Sequence, residues 1–379
     1  MSFKKYLLII IILLFTTNCS NDSQELSIDY EKYTLDNGLK VILHKDSSDP
    51  LVAISTIVHV GSNREKPGKT GFAHFFEHMA FTASENTPRG ANRLLIPTWG
   101  GSRNGGTSFD YTIYYEIVPK DALEKLMWID SDRLGFMINT VDAETLEGEI
   151  QVVKNEKRQR VDNQPYGHSS GIIQKALYPQ GHPYSWSVIG ELEDLQAATI
   201  EDVKEFYNEF YGPSNATVVI AGDIDFKETK QLVERWFGEI KPNENVIEKP
   251  EVRLVSLSET KKLYHLDKYA QLPQLSLTYP SVEQFSKDSY ALNTLGELLS
   301  DGRNSVFYKE IIEKQKLAPS ASAYNYSSEI AGQFSMSVRA NPNTSLNDIY
   351  DAIMQSLANF EANGVSDNDL KRIKAGQET

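Results

Sequence analysis

The order of elements over the first 240 or so residues loosely recurs after a polar break, and that recurrence constrains the fold more than any other feature. A hairpin opens the first series. Tyr33-Thr34-Leu35 and Lys40-Val41-Ile42-Leu43 flank Asp36-Asn37-Gly38, whose Asn-Gly step suits a tight turn. Residues 51–60 read as a buried strand, and a helix is predicted over 72–83, after a loop running from Gly68 to Gly71. The pattern continues with a strand over 107–118 and long helices over 121–137 and 143–161. A helix over 199–211, a strand over 216–221 and a helix over 226–237 close the series. Residues 241–250 are polar, hold two prolines and lack periodicity, as a linker does. Beyond them, strands near Leu263 and Leu275 precede helices near Ser289 and Asn304. Strands near Ser320 and Phe334 then precede a helix from about Leu346. Two copies of one α+β unit, 30–241 and 251–379, explain the recurrence economically. Each unit is expected to hold an antiparallel-rich mixed sheet with helices packed on one face. Residues 367–379 are helical in pattern without a C-cap, so the second unit is expected to be truncated and the chain a piece of a longer protein.

Charge and the N-terminus narrow the function classes. Lys plus Arg is 38 against Asp plus Glu 52, a net charge of −14 over 379 residues. A surface that acidic repels phosphate backbones, so nucleic acid is not an expected partner. The ordinary share of charged and hydrophobic residues excludes a disordered tail or a fibre, and a single cysteine excludes a disulfide-stapled miniprotein. Residues 1–18 start with Lys4 and Lys5 and run into an uninterrupted apolar stretch over 6–15. That stretch is short for a bilayer span and is followed by small or polar residues, so it reads as an export signal rather than a retained anchor. Cys19 follows directly and resembles the lipid-attachment cysteine of bacterial lipoproteins. Cleavage there removes two lysines and leaves −14 − 2 = −16. Residues 19–29 then form a polar tether. The expected address is the bacterial cell envelope, facing the periplasm, with the membrane reached through an N-terminal lipid.

His74-Phe75-Phe76-Glu77-His78 is the sharpest chemical signal. On a helix, positions i and i+4 share a face, so both imidazoles can reach one metal ion. Glu77 can lean over the same site without being consumed as a ligand. The order inverts the His-Glu-x-x-His zinc signature. Two surface histidines on an amphipathic helix would give the same spacing, but Phe72, Phe75, Phe76, Met79 and Phe81 would bury this helix. Catalytic zinc commonly takes three protein ligands and a water. The predicted helix over 143–161 offers Glu144, Glu147, Glu149 and Glu156, and spacing alone does not choose among them. Glu149 and Glu156 are seven apart and share a face over two turns.

Several longer stretches carry a resemblance. HFFEHMAF from His74, GGSRNGGTSFDYTIYYE from Gly100, EGEIQVVKNEKRQR from Glu147 and NQPYG from Asn163 come first. GHPYSWSVIG from Gly181 and FYNEFYGPSNATVVIAGDID from Phe206 follow in order. Together they resemble the pitrilysin, insulinase and mitochondrial-processing-peptidase family of zinc metallopeptidases. The resemblance implies the processing-peptidase/LuxS-like metallohydrolase fold and one zinc ion per chain. It implies His74, His78 and Glu156 as zinc ligands, Glu77 as the general base, and Glu149 as support for the ligands. Asn104, on a strand whose edge pairs with an extended peptide, is implied as a substrate contact; shaping a Gly-rich turn is the alternative. His168 and His182 read as structural, and His44, His59 and His265 carry no functional expectation.

The second unit departs from the family. LLSDGRNSVFYKEIIEKQKLAPSASA from Leu298 matches a stretch that often bears an Arg and, seven residues later, a Tyr that bind and polarise substrate. Ile312 and Pro319 occupy those positions here, and neither side chain donates a hydrogen bond. The expected partners are therefore a peptide substrate and either the C-terminal half of a longer chain or a separate subunit bearing the Arg/Tyr pair. The expected activity is metalloendopeptidase cleavage of short or unfolded peptides. A peptide-binding or assembly subunit without turnover is the alternative.

Overall fold

The computed structural model describes residues 27–243 and 248–377; the expected export signal, Cys19 and most of the tether lie outside the described residues. Alternation with period two builds the first sheet from β1 (Glu31–Thr34), β2 (Lys40–Lys45), β3 (Leu51–Val58), β4 (Ser102–Thr107), β5 (Thr112–Pro119) and β6 (Ala216–Gly222). In β3, Val52, Ile54, Thr56 and Val58 are buried, and in β5, Thr112, Tyr114, Glu116 and Val118 are. The strand order is β1-β2-β6-β3-β5-β4, and β2 with β6 is its parallel pair. The Asn-Gly hairpin forms as expected. Gly38 takes φ 90°, and the Asn37 amide donates to the Phe237 and Ile240 carbonyls, tying the turn to a helix end 200 positions away.

Helices α1 (Phe72–Met79), α2 (Ala91–Thr98), α3 (Leu123–Phe136), α4 (Ala143–Lys157), α5 (Ser169–Leu177), α6 (Leu192–Gln196), α7 (Ile200–Phe210) and α8 (Phe226–Phe237) accompany this sheet. One apolar core joins its strands to α1, α3, α4, α7 and α8. A second sheet contains β7 (Gln274–Ser281), β8 (Ser320–Ser327) and β9 (Gly332–Arg339) in the order β7-β9-β8, all antiparallel. Helices α9 (Lys287–Ser300), α10 (Leu346–Asn363) and α11 (Asp367–Gln377) go with it, over a separate core around Phe307, Met336 and Ile353. The order β7-β9-β8 repeats β3-β5-β4 in sequence and direction. The architecture is thus α+β, with the recurrence in the sequence appearing as a topological repeat.

Three expectations change in detail. The strand near Leu263 is absent: residues 248–273 form no strand, and Tyr264 and Leu266 are over 90% exposed with no neighbouring strand to pair with among the described residues. The predicted strand over 107–118 starts later, as β5 from Thr112, and Thr107 instead ends β4, because the Ser108 hydroxyl accepts from the backbone of Asp110 and Tyr111 and closes a turn. The helix near Asn304 is a short wide turn, Tyr308–Lys314, that starts four residues later.

Candidate metal centre

The apolar side of α1 fixes where its polar side points. Phe72, Phe75, Phe76 and Met79 are buried, and Phe76 stacks on Phe206 of α7 with ring centroids 5.0 Å apart. The helix start is pinned as well. Gly71 precedes it at φ 86°, and a Cβ there would stand 2.7 Å from the Ile189 carbonyl. The buried Glu65 carboxyl accepts from Gly71 N at 2.9 Å and Ala73 N at 2.8 Å, so an acid sits at the positive end of the helix.

So oriented, α1 turns His74 and His78 towards α4. Glu156 Oε2 lies 2.9 Å from His78 Nε2 and 3.6 Å from His74 Nε2. One ligand atom from each of the three residues falls within 4.8 Å of the other two. Donors about 2.1 Å from a tetrahedral ion stand about 3.4 Å from each other, and two imidazoles with a carboxylate are a set that zinc accepts. The residues therefore fit a zinc ion. Burial, followed by the neighbouring His78, lowers His74 to about 4, so its imidazole is neutral and ready to ligate at neutral pH. Burial also pulls His78 down, but the hydrogen bond and charge of Glu156 outweigh it and leave His78 above its ordinary value. Glu156 is lowered in turn, first by that hydrogen bond. Arg160 holds its other oxygen, Oε1, at 2.8 Å.

Glu77 stands outside this trio. Its carboxylate accepts from Thr107 Oγ1 at 2.9 Å, and burial raises its pKa against the opposing pull of Thr107 and His78. A carboxylate raised in this way holds a proton to higher pH than a free one, the direction a group that takes and returns protons needs. Glu149 Oε2 lies 3.9 Å from His78 Nδ1, the nitrogen facing away from Glu156, beyond hydrogen-bond reach but close enough for its charge to help raise His78. Glu144 and Glu147 are exposed, so the fold makes the choice that spacing left open.

Asn104 is exposed on β4, the outer strand of the sheet, and its Oδ1 accepts from its neighbour Gly105 N at 2.9 Å. It shares that strand with Thr107. Ile312 is half-buried in the wide turn Tyr308–Lys314, and Pro319 is exposed just before β8. His182 is buried against Tyr178 and bonds the Arg253 carbonyl at 2.9 Å, while His168 faces Asp162 at 3.7 Å at the surface. His44 and His59 bond Asp29 and Thr217, and the His265 ring lies 5.9 Å from that of His168. Sequence reasoning missed Thr107, Glu65 and Arg160. Only Arg160 carried a readable signal, its i+4 spacing from Glu156.

Comparison with known proteins gives two family matches. The model described as Insulinase (Peptidase family M16) matches residues 40–182, and Peptidase M16 inactive domain matches residues 197–377. The chain is 29% identical over 378 residues to the zinc protease PqqE of Helicobacter pylori, covering 99% of this chain and 84% of that protein. It superposes with TM-score 0.87 and 28% identity on the crystal structure of a protease from Helicobacter pylori, covering 93% and 85%. The first half of the periplasmic protease PqqL from Escherichia coli has the same fold, with TM-score 0.70 and 23% identity over 93% of this chain and 77% of that one.

Proposed function

Since this chain belongs to the insulinase (M16) family of peptidases, we propose that it is a zinc metalloendopeptidase of short or unfolded peptides, with Glu77 as general base. The observation that carries the reading is the convergence of His74, His78 and Glu156 on one point, with Glu77 beside it and free of it. His74, His78 and Glu156 would hold one zinc ion, which when bound acidifies water and polarises the scissile carbonyl. Glu77 takes a proton from the attacking water and hands it to the leaving nitrogen, so the proton count balances. Thr107 fixes the carboxylate that does so. The outer edge of β4, with Asn104, pairs an extended peptide through its main chain.

Ile312 and Pro319 favour a partner. The Arg/Tyr pair would come from the C-terminal half of a longer chain or from a separate subunit, and the likeness to one half of a longer protease supports this. The same two residues also support the alternative of a peptide-binding or assembly subunit. An envelope address through a lipid on Cys19 belongs to the proposal. Among the described residues no helix is long and apolar enough to cross a membrane.

The test is a peptide-cleavage assay of the chain with candidate partners, using wild type and Glu77→Gln. Cleavage by wild type, lost in Glu77→Gln with zinc content unchanged, is expected. Cleavage that survives the change would remove Glu77 as the base. No cleavage with any partner would favour the binding-subunit reading.

A further inference from the structure

We propose that the second unit sets the position of Glu156 through Tyr166, making Tyr166 a positioning residue for metal retention; the inference rests on the metal reading above. Glu156 lies in the last turn of α4, and Tyr166 follows it ten positions on. The chain between them has little slack. It leaves α4 as a wide turn, Arg158–Asp162, closed by Asn163 N donating to the Arg158 carbonyl at 2.8 Å. A wide turn of this kind is uncommon and recurs at functional sites. Gly167 then folds back so closely that a Cβ would stand 2.0 Å from the Val161 carbonyl. Arg160, inside the turn, pairs with Glu156 Oε1 from the surface at 2.8 Å, linking the turn to the carboxylate.

Tyr166 occupies left-handed backbone at φ 63°, an outlier for an aromatic residue that surrounding contacts must enforce. Those contacts come from the far side of the linker. Tyr166 N donates to Asp267 Oδ2 at 2.8 Å, and Tyr166 OH donates to the Leu272 carbonyl at 2.7 Å, just ahead of β7. The Arg339 guanidinium of β9 lies 4.7 Å over its ring. Asp267 is itself set by Tyr269 N and Ala270 N, and Tyr269 OH reaches Asn163 Oδ1 at 3.2 Å. Four ties thus run from the second unit to the loop that follows the third ligand. Tilting that unit moves Tyr166, then the wide turn, then Arg160 and Glu156. By the same linkage, bound zinc would stiffen the joint.

The experiment is zinc affinity by competition with a chromogenic chelator, with melting of the metal-free protein as a parallel readout. Wild type is compared with Tyr166→Phe, which loses the hydroxyl tie, and Asp267→Asn, which weakens the backbone tie. Both variants should bind zinc about two- to thirtyfold more weakly, the range that changes along a coupling path produce, while metal-free melting stays near wild type. Zinc affinity unchanged in both, with or without a lower melting temperature, would mark the joint as merely structural and overturn the inference. Wild type that binds no zinc would instead overturn the metal reading, and this inference with it.

Discussion

Replacing Arg133 with Met should cost the fold several kcal/mol in a pH-dependent way. Arg133 is buried between two acids: its Nη1 donates to Glu116 Oε1 at 2.9 Å and its Nη2 to Asp130 Oδ1 at 2.5 Å. Its guanidinium also lies 4.4 Å over the Tyr114 ring. Glu116 and Asp130 are fully buried, and burial already raises Asp130 well above the carboxylate range despite the arginine. Without that cation two buried acids face each other with no positive partner, and removing one partner of a buried ion pair costs roughly 3–5 kcal/mol. Arg133 opposes the burial that raises Asp130, so its loss pushes that carboxyl further up, and a carboxyl raised in the folded state makes stability fall as pH rises. Urea unfolding followed by circular dichroism at pH 5 and pH 7 gives the two deficits. A deficit of about 3–5 kcal/mol at pH 7 that is smaller at pH 5 is expected. Adding Glu116→Gln and Asp130→Asn should remove the difference between the two. Equal deficits at the two pH values, or one below about 1 kcal/mol at pH 7, would refute the reasoning.

Other perturbations follow from the same geometry. Burial lifts the Glu65 carboxyl to about 8, above its unfolded value. The folded state therefore holds an extra proton between about pH 4.3 and 8, and stability is fullest below that window and falls as pH rises through it. Glu65→Gln should flatten the slope of unfolding free energy between pH 5.5 and 7.5, and an unchanged slope would contradict this. Thr107→Val removes the hydrogen bond to Glu77. In an assembled, active enzyme kcat should drop by about tenfold or more with zinc content unchanged, since bonds to charged groups contribute about 1.5–3 kcal/mol. Phe76→Ala, which opens the contact with Phe206 and Tyr211, should destabilise by about 3–5 kcal/mol in denaturant melts.

Much of this arrangement was legible in residue order. Phe72, Phe75, Phe76 and Met79 announced which side of α1 is buried, and the period of a helix then required His74 and His78 to share a point. The Asn37-Gly38 step announced its hairpin. Other features were hidden for definite reasons. α2 follows Gly90 and contains Pro97, both poor helix formers, so its two turns rest on tertiary packing rather than on local propensity. The wide turn after Lys157 rests on i→i+5 bonding, such as Asn163 N to the Arg158 carbonyl, that no periodicity reveals. Leu263, Tyr264 and Leu266 suggest a strand by their apolar character, yet Tyr264 and Leu266 are over 90% exposed and this stretch pairs with no strand among the described residues. Glu65 and Thr107 reach their partners only through the fold. Choosing Glu156 among four acids likewise required the packing of α4 against α1, for which the family resemblance stood in.

The central claim is that two imidazoles and one carboxylate share a single cation while Glu77 stays free. Crystals grown with zinc and measured either side of its absorption edge test it directly. One anomalous peak about 2.1 Å from a nitrogen each of His74 and His78 and from a Glu156 oxygen is expected, with Glu77 beyond bonding distance. No peak at that point, or a peak ligated by Glu77, would contradict the account.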